Sequence, residues 1–153
     1  MFIVRPALAE DVPAMHQLIL ELAIFEKAPN EVVATEHTLY HALFSPSSIA
    51  IAWVTEQNSV ITGMAICYLR YSTWKGTMLY LEDLIVSEPY RGHGMGKALL
   101  EKCFEYARER GYPRVIWQVL DWNTPAIEFY KRYCAEFDSG WVNAWVNVSK
   151  LEQ

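Results

Sequence analysis

The sequence is poor in every feature that would take it out of the ordinary globular class. It has three cysteines, Cys67, Cys103 and Cys134, widely spaced and with no Cys-x-x-Cys. Such a set argues against a disulfide framework or a zinc knuckle, so a reduced cytoplasm is the expected compartment and no metal is expected. Long apolar runs are missing too. The longest are Ile49–Val54 and Met64–Leu69, far short of the roughly 20 residues of a membrane helix. Met1–Pro6 carries no basic leader ahead of an apolar stretch, so neither a secretory signal nor a membrane partner is expected. Positive charge is in deficit, 13 Lys and Arg against 18 Asp and Glu for a net charge of −5. That argues against a nucleic-acid partner, which calls for a basic surface. No repeat, low-complexity tract or Gly/Pro-rich linker is visible, and 52% hydrophobic against 20% charged residues excludes a disordered chain.

What is present fits one domain, residues 1–153, long enough to bury about two-thirds of its unfolded surface. The charge is lopsided. Residues 1–90 hold 4 Lys/Arg and 10 Asp/Glu, whereas residues 91–153 hold 9 and 8. An acidic first half beside a near-neutral second half suggests either two kinds of ligand on one domain or an incidental surface composition.

Periodicity supplies the elements. Phe2–Arg5 alternates as a strand. In Ala9–Glu26, Val12, Met15, Leu18, Ile19, Leu22 and Phe25 recur at helical steps. Thr35 is placed to cap a short helix ending at Phe44, with Leu39, Tyr40 and Leu43 on its apolar side. Ile49–Glu56, Val60–Tyr71 and Thr77–Val86 are β-branched and aromatic runs with short polar or Gly-containing connections, which predicts an antiparallel meander. A helix is predicted from about Gly94 to Arg110, stopped by Gly111 and Pro113. Arg114–Leu120 reads as a buried strand roughly parallel to the one before it. Asn123 caps a helix through about Tyr133, and Glu136–Val148 reads as a final hairpin around Gly140. The order β-α-α-β-β-β-α-β-α-β-β implies an α/β domain with a mixed, mostly antiparallel central sheet flanked by helices.

The first clear chemical signal is Arg91-Gly92-His93-Gly94-Met95-Gly96-Lys97, between a strand end and a helix start. Its glycines permit positive φ and close backbone approach, and the following helix presents unpaired N–H groups to an anion. The third glycine comes one residue early for the dinucleotide fingerprint Gly-x-Gly-x-x-Gly. Ala98 after Lys97 and Arg91 five before Gly96 exclude a P-loop. What survives is Arg-x-x-Gly-x-Gly, which resembles the pyrophosphate-binding loop of the GNAT superfamily of acetyl-CoA-dependent N-acetyltransferases. The order of elements agrees along essentially the whole chain. Leu79-Tyr80-Leu81-Glu82-Asp83, Tyr90–Gly96, Trp122-Asn123-x-Pro125-Ala126-Ile127 and Phe129-Tyr130-Lys131-Arg132 are similar to the spermidine/spermine and thialysine acetyltransferases.

The resemblance implies the acyl-CoA N-acyltransferase fold, acetyl-CoA as co-substrate and a small cationic amine, a polyamine or diamine, as acceptor. Thialysine or a lysine-like amino acid is the alternative acceptor, and a non-catalytic coenzyme A-binding protein the alternative of another class. It places Leu84, Ile85, Val86 and the loop Arg91, Gly92, His93, Gly94, Met95, Gly96 and Lys97 on the cofactor, with Asn123, Pro125, Ala126, Tyr130 and Arg132. It makes Tyr130 the acid that protonates the leaving thiolate, where a core aromatic beside Phe129 is the plain alternative. A phenol is protonated at neutral pH and can donate to a developing anion. It makes Glu82 the base, directly or through water; a structural acid paired with Arg70 or Arg114 is the alternative. Buried carboxylates are costly unless paired, so acids within an apolar strand point to a site. Adjacent strand residues face opposite ways, so Glu82 and Asp83 share a role only if the strand is bulged. Asp83 is expected to be structural or a recognition charge. Phe25, Glu26, Glu82, Asp83 and Trp117 are the candidate amine-site residues. Cys134 has no histidine partner evident in sequence for a covalent route. A homodimer is implied, with Trp141 and Trp145 as candidate interface residues.

Overall fold

Each strand of the predicted meander forms, and its register explains the architecture. The computed structural model describes residues 1–150. It contains β1 (Ile3–Pro6), α1 (Val12–Phe25), α2 (Glu36–Phe44), β2 (Ala50–Gln57), β3 (Val60–Ser72), β4 (Gly76–Val86), α3 (Met95–Glu109), β5 (Val115–Ile116) and α4 (Thr124–Lys131). The chain divides into two compact units, Met1–Gln118 and Val119–Gln153.

The first unit is built on a sheet of order β1-β2-β3-β4-β5. The first four strands run antiparallel, and β5 joins β4 in parallel through Leu79–Val115 and Tyr80–Ile116. Asn58 and Ser59, at φ 52° and 63°, make the two-residue turn between β2 and β3, where φ is positive at both central positions. β3 is buried on both faces because helices cover both. Met64 and Ile66 join Met15 and Leu18 of α1, with Leu39 and Leu43 of α2 packed against that cluster. On the other face α3 buries Leu99, Leu100, Cys103 and Ala107, and Tyr106 meets Trp53 at 5.2 Å between ring centroids. Burying a leucine such as Leu99 or Leu100 completely contributes about 1.5–3 kcal/mol, so this face fixes α3 firmly on the sheet. Tyr40, predicted on the apolar side of α2, is instead exposed.

Helix boundaries follow their caps. The Thr35 hydroxyl accepts from the Thr38 N–H at 3.3 Å, and the Thr38 hydroxyl oxygen accepts from the Thr35 N–H at 2.8 Å. α3 starts at Gly94 in the left-handed region (φ 84°). It ends at Gly111 (φ 69°), where the Tyr112 N–H reaches back to the Ala107 carbonyl at 2.9 Å. Asp11, 5% exposed, anchors the start of α1. Burial pushes its carboxyl upward, but two bonds from the Arg5 guanidinium (2.7 and 2.9 Å) and one from the Leu8 N–H outweigh that and hold it below its ordinary value.

Two bulges interrupt the ladders. Thr55 faces Gly63 and Glu56 faces Ile61, so Thr62 is the extra residue in β3. Ile66 faces Asp83 and Cys67 faces Leu81, so Glu82 is the extra residue in β4. Gly63 lies beside the first bulge. A β-carbon there would come within 2.8 Å of the Ile85 carbonyl oxygen and of the Thr55 hydroxyl. Gly63→Ala is therefore expected to cost about 1–3 kcal/mol, the usual penalty of overpacking. Urea denaturation measures it, and an unchanged midpoint with an unchanged slope would refute the close approach.

The second unit contains α4, capped as predicted by Asn123, whose side-chain oxygen accepts from the Ala126 N–H at 3.3 Å. Two sequence expectations are corrected. The strand predicted over Arg114–Leu120 pairs only at Val115 and Ile116. The hairpin predicted over Glu136–Val148 does not form. Among the described residues no ladder extends past Ile116, and the Asp138 carboxylate accepts from the Gly140 N–H at 2.8 Å in a local turn. Alternation favours an extended segment, but a strand also needs a neighbour to take its backbone hydrogen bonds.

Candidate active site

In the first unit the site is organised by the end of β4 and the start of α3. Leu84, Ile85 and Val86 pair with β3 on one side only, since β5 engages β4 no further than Tyr80. The other edge of these three residues is not held by β5. The Ser87 N–H donates to the Thr62 carbonyl at 2.9 Å, so the bulge in β3 carries the strand end. The Thr62 hydroxyl, fully buried, also meets the Met95 sulfur at 3.3 Å. That contact seats the first residue of α3, and the Met95 side chain is a buried anchor while its backbone lies in the loop.

The glycine loop has the geometry of an anion cradle. Gly92 (φ 82°) and Gly94 (φ 84°) are both left-handed, and a β-carbon at either would meet nothing within 4 Å. Among the described residues none of the loop and cap backbone hydrogen bonds is donated by Gly92 through Lys97. These N–H groups point out of a helix N-terminus with no side-chain cap, the arrangement that receives phosphate. The Arg91 guanidinium steadies the loop by donating to the Val86 carbonyl at 2.9 Å. It also lies 5.5 Å from the centre of the Phe25 ring, which ties the loop to the end of α1. His93 rests on the Tyr90 carbonyl at 3.3 Å, and Lys97 forms a surface pair with Glu101 at 3.7 Å. The residues present fit the pyrophosphate of a coenzyme A thioester through backbone N–H groups and nearby positive charge.

Beyond this loop, three carboxylates, Glu26, Glu82 and Asp83, lie within electrostatic reach of one another. The bulge breaks strict alternation at Glu82, so Glu82 and Asp83 lie close together. Asp83 is partly buried, and its carboxyl is pushed up to about 6, first by burial, then by the charges of Glu82 and Glu26. Glu26, the residue that caps the end of α1, is itself raised by desolvation. Glu82 lies within electrostatic reach of the Tyr68 phenol, whose titration is raised first by burial and then by that negative neighbour. Tyr68 stacks on Tyr80 at 4.9 Å, and the Arg70 guanidinium lies 5.9 Å from the Tyr80 ring centre. Among the described residues Glu82 forms no ion pair with Arg70 or Arg114. Like charges within electrostatic reach of one another favour a bound cation.

The structure thus brings Phe25, Glu26, Glu82, Asp83, Leu84–Val86 and Arg91–Lys97 into one unit. Trp117, half-buried, follows β5 in the same unit. Asn123, Pro125, Ala126, Tyr130 and Arg132 belong to the second unit, where Tyr130 is buried and its ring lies 5.3 Å from that of Phe129. Tyr68 and Tyr80 carry no sequence signal that places them around Glu82, because only the strand register puts them there; Arg70, the expected ion-pair alternative, lies over the Tyr80 ring instead. Two recesses, of about 540 Å³ beside Arg5 and Glu56 and about 320 Å³ beside Trp53 and Tyr106, share no residue with this site.

Comparison with known proteins agrees with this geometry. The sequence profile of the Acetyltransferase (GNAT) family matches residues 14–135, across both units. The chain is 35% identical over 143 residues to the thialysine N-epsilon-acetyltransferase of Bos taurus, covering 87% of this chain and 83% of that protein. It is 29% identical over 136 residues to spermidine/spermine N(1)-acetyltransferase-like protein 1 of Homo sapiens, covering 84% of this chain and 20% of that protein. The crystal structure of the aminoglycoside acetyltransferase meta-AAC0020, from an uncultured soil metagenomic sample, superposes with a TM-score of 0.78 over 96% of each chain at 19% identity, a likeness of fold. The mixed sheet, the Gly92–Gly96 cradle at the head of α3 and a profile match over most of the chain have one common reading: the protein belongs to the GNAT acetyltransferase family and is an N-acetyltransferase.

Proposed function

We propose that residues 1–153 act as one domain that moves the acetyl group of acetyl-CoA to a primary amine of a small cationic substrate, by direct attack with both substrates bound. The observation that carries the substrate class is the Glu26–Glu82–Asp83 cluster. The amine nitrogen attacks the thioester carbon, the carbon–sulfur bond breaks, and the thiolate leaves. Backbone N–H groups on the open edge of Leu84–Val86 are placed to stabilise the carbonyl oxygen as it becomes negative. The carboxylate pair accepts the proton lost by the amine, directly or through water, and Tyr130 returns a proton to the thiolate.

A lysine-like amino acid is the second reading, with a polyamine or diamine as the first. Arg70 favours it, because a cation over the Tyr80 ring, which also feels the charge of Glu82, suits the carboxylate end of an amino acid, and the bovine relative is named for thialysine. A steady-state panel of spermidine, a diamine, thialysine, lysine and ornithine decides. If the amino acid is the substrate, Arg70→Gln raises its KM about tenfold, the loss of one charge-assisted contact; a polyamine is unaffected or binds better. Acetyl-CoA binding without thiol release for any amine of the panel would return the chain to a non-catalytic role.

The acid limb of the rate profile tests the cluster separately. A carboxyl at about 6 is charged above that pH and neutral below it. kcat/KM for the amine is therefore expected to fall as pH drops through about 6. A profile unbroken down to the ordinary carboxylate range near 4 would remove Asp83 from the reaction.

We further propose a homodimer using residues 136–148. Trp141, Trp145 and Val142 are each more than three-quarters exposed, a large unpartnered apolar surface for one chain. Light scattering after size exclusion is the check, and a monomer at working concentrations would end this reading. The sparse cysteines support a reducing compartment, the cytoplasm.

A further inference from the structure

We propose that His37 and His41 form a surface chelate for a divalent d-block cation, separate from acetyl transfer. Both residues are exposed and lie four apart on α2, on one face of the helix. Their Nε2 atoms are 3.1 Å apart, and the rings meet at 4.4 Å between centroids with planes 63° apart. As the pair stands, one Nε2 donates its proton to the other. Two nitrogens about 2.05 Å from a shared ion and 3.1 Å from each other subtend about 98° at that ion. This lies between the right angle of square or octahedral coordination and the tetrahedral angle of about 109°. A slight rotation of the exposed rings directs both lone pairs at the ion.

The platform is rigid. The reciprocal Thr35–Thr38 bonds fix the start of α2, and the Ser45 hydroxyl donates to the His41 carbonyl at 2.7 Å near its end. Leu39 and Leu43 pack against the core. The Tyr40 ring stands edge-on to His41 at 5.9 Å. Imidazole nitrogen suits copper, nickel and zinc, with affinity rising toward copper. Among the described residues no group of three or more His, Cys, Asp and Glu is arranged to hold one metal ion. Two protein nitrogens therefore bind the ion, and the remaining positions stay open to water or to an external ligand.

Calorimetric titration of the full chain with Ni²⁺ at mildly alkaline pH tests the site. One ion per chain is expected. His37→Gln and His41→Gln should each weaken binding by about a hundredfold, the loss of a second ligand held at high effective concentration. His16→Gln and Cys134→Ser should leave it unchanged. Because both imidazoles are aligned only in folded α2, Ni²⁺ should raise Tm in the unmodified chain and in neither single variant. Equal affinity in the double variant His37→Gln/His41→Gln, or a Tm shift that survives it, would overturn the proposal.

Discussion

Tyr130→Phe is expected to lower kcat by about two to four orders of magnitude, the range of a lost general acid, while KM for acetyl-CoA changes little. The argument is chemical. A departing thiolate needs a proton, a phenol with an ordinary pKa of about 10 retains one at neutral pH, and phenylalanine keeps the ring but offers none. The substitution preserves the packing of residue 130, buried on α4 against Phe129, so unfolding is not the expected cause of a loss. The comparison to make is kcat across pH in both proteins. The unmodified enzyme should lose rate at alkaline pH as its acid deprotonates, and the variant should show a low profile without that limb. Nearly full turnover in the variant would assign Tyr130 to the core alone.

The second large effect is expected at the bulge. Asp83→Asn removes the carboxyl that burial and its neighbours raise to about 6. It should reduce kcat/KM for the amine by about two orders of magnitude or more, since base catalysis and cation binding are lost together. Glu82→Gln makes a different statement. It removes one of the negative charges that raise Asp83, so the Asp83 carboxyl moves down toward its ordinary value. The acid limb should then shift to lower pH, whatever rate Glu82 itself supplies. If Glu82 is the base, as the resemblance implies, Glu82→Gln loses rate at every pH and Asp83→Asn costs mainly KM. If Asp83 is the base, the assignments exchange. Matching unmodified profiles from both variants would sink the carboxylate mechanism.

Local signals made most of the fold readable, and non-local pairing accounts for what was missed. Thr35 and Phe44 bound α2 because a cap and a periodic face are written in adjacent residues. Gly94 and Gly111 bound α3 because only their conformations suit those ends. The meander was readable from short connections. The bulge at Glu82 was not, since it depends on which residue of β3 faces which residue of β4, and that is decided across the sheet. The stacked Tyr68–Tyr80 pair and the nearness of Tyr68 to Glu82 follow from the same register and were missed for the same reason. The alternation of residues 136–148 misled because it reports extended character without naming a hydrogen-bonding partner. The charge asymmetry was only partly meaningful. Glu26 and Glu82 do act on Asp83 through their charges, but Asp11 and Glu56 are occupied with Arg5.

The extra residue in β4 has a consequence for sequence length. Asp83 already faces Ile66 and Leu81 already faces Cys67, and Ile66 and Cys67 are consecutive. Deleting Glu82 outright would therefore let the ladder close as a regular pairing, with every later residue of β4 keeping its partner. A one-codon deletion in the middle of a central strand ordinarily inverts all that follows it, yet here it should leave a folded protein with near-native circular dichroism and a crippled amine site. The insertion thus marks a place where the sheet tolerates a length change and the chemistry does not.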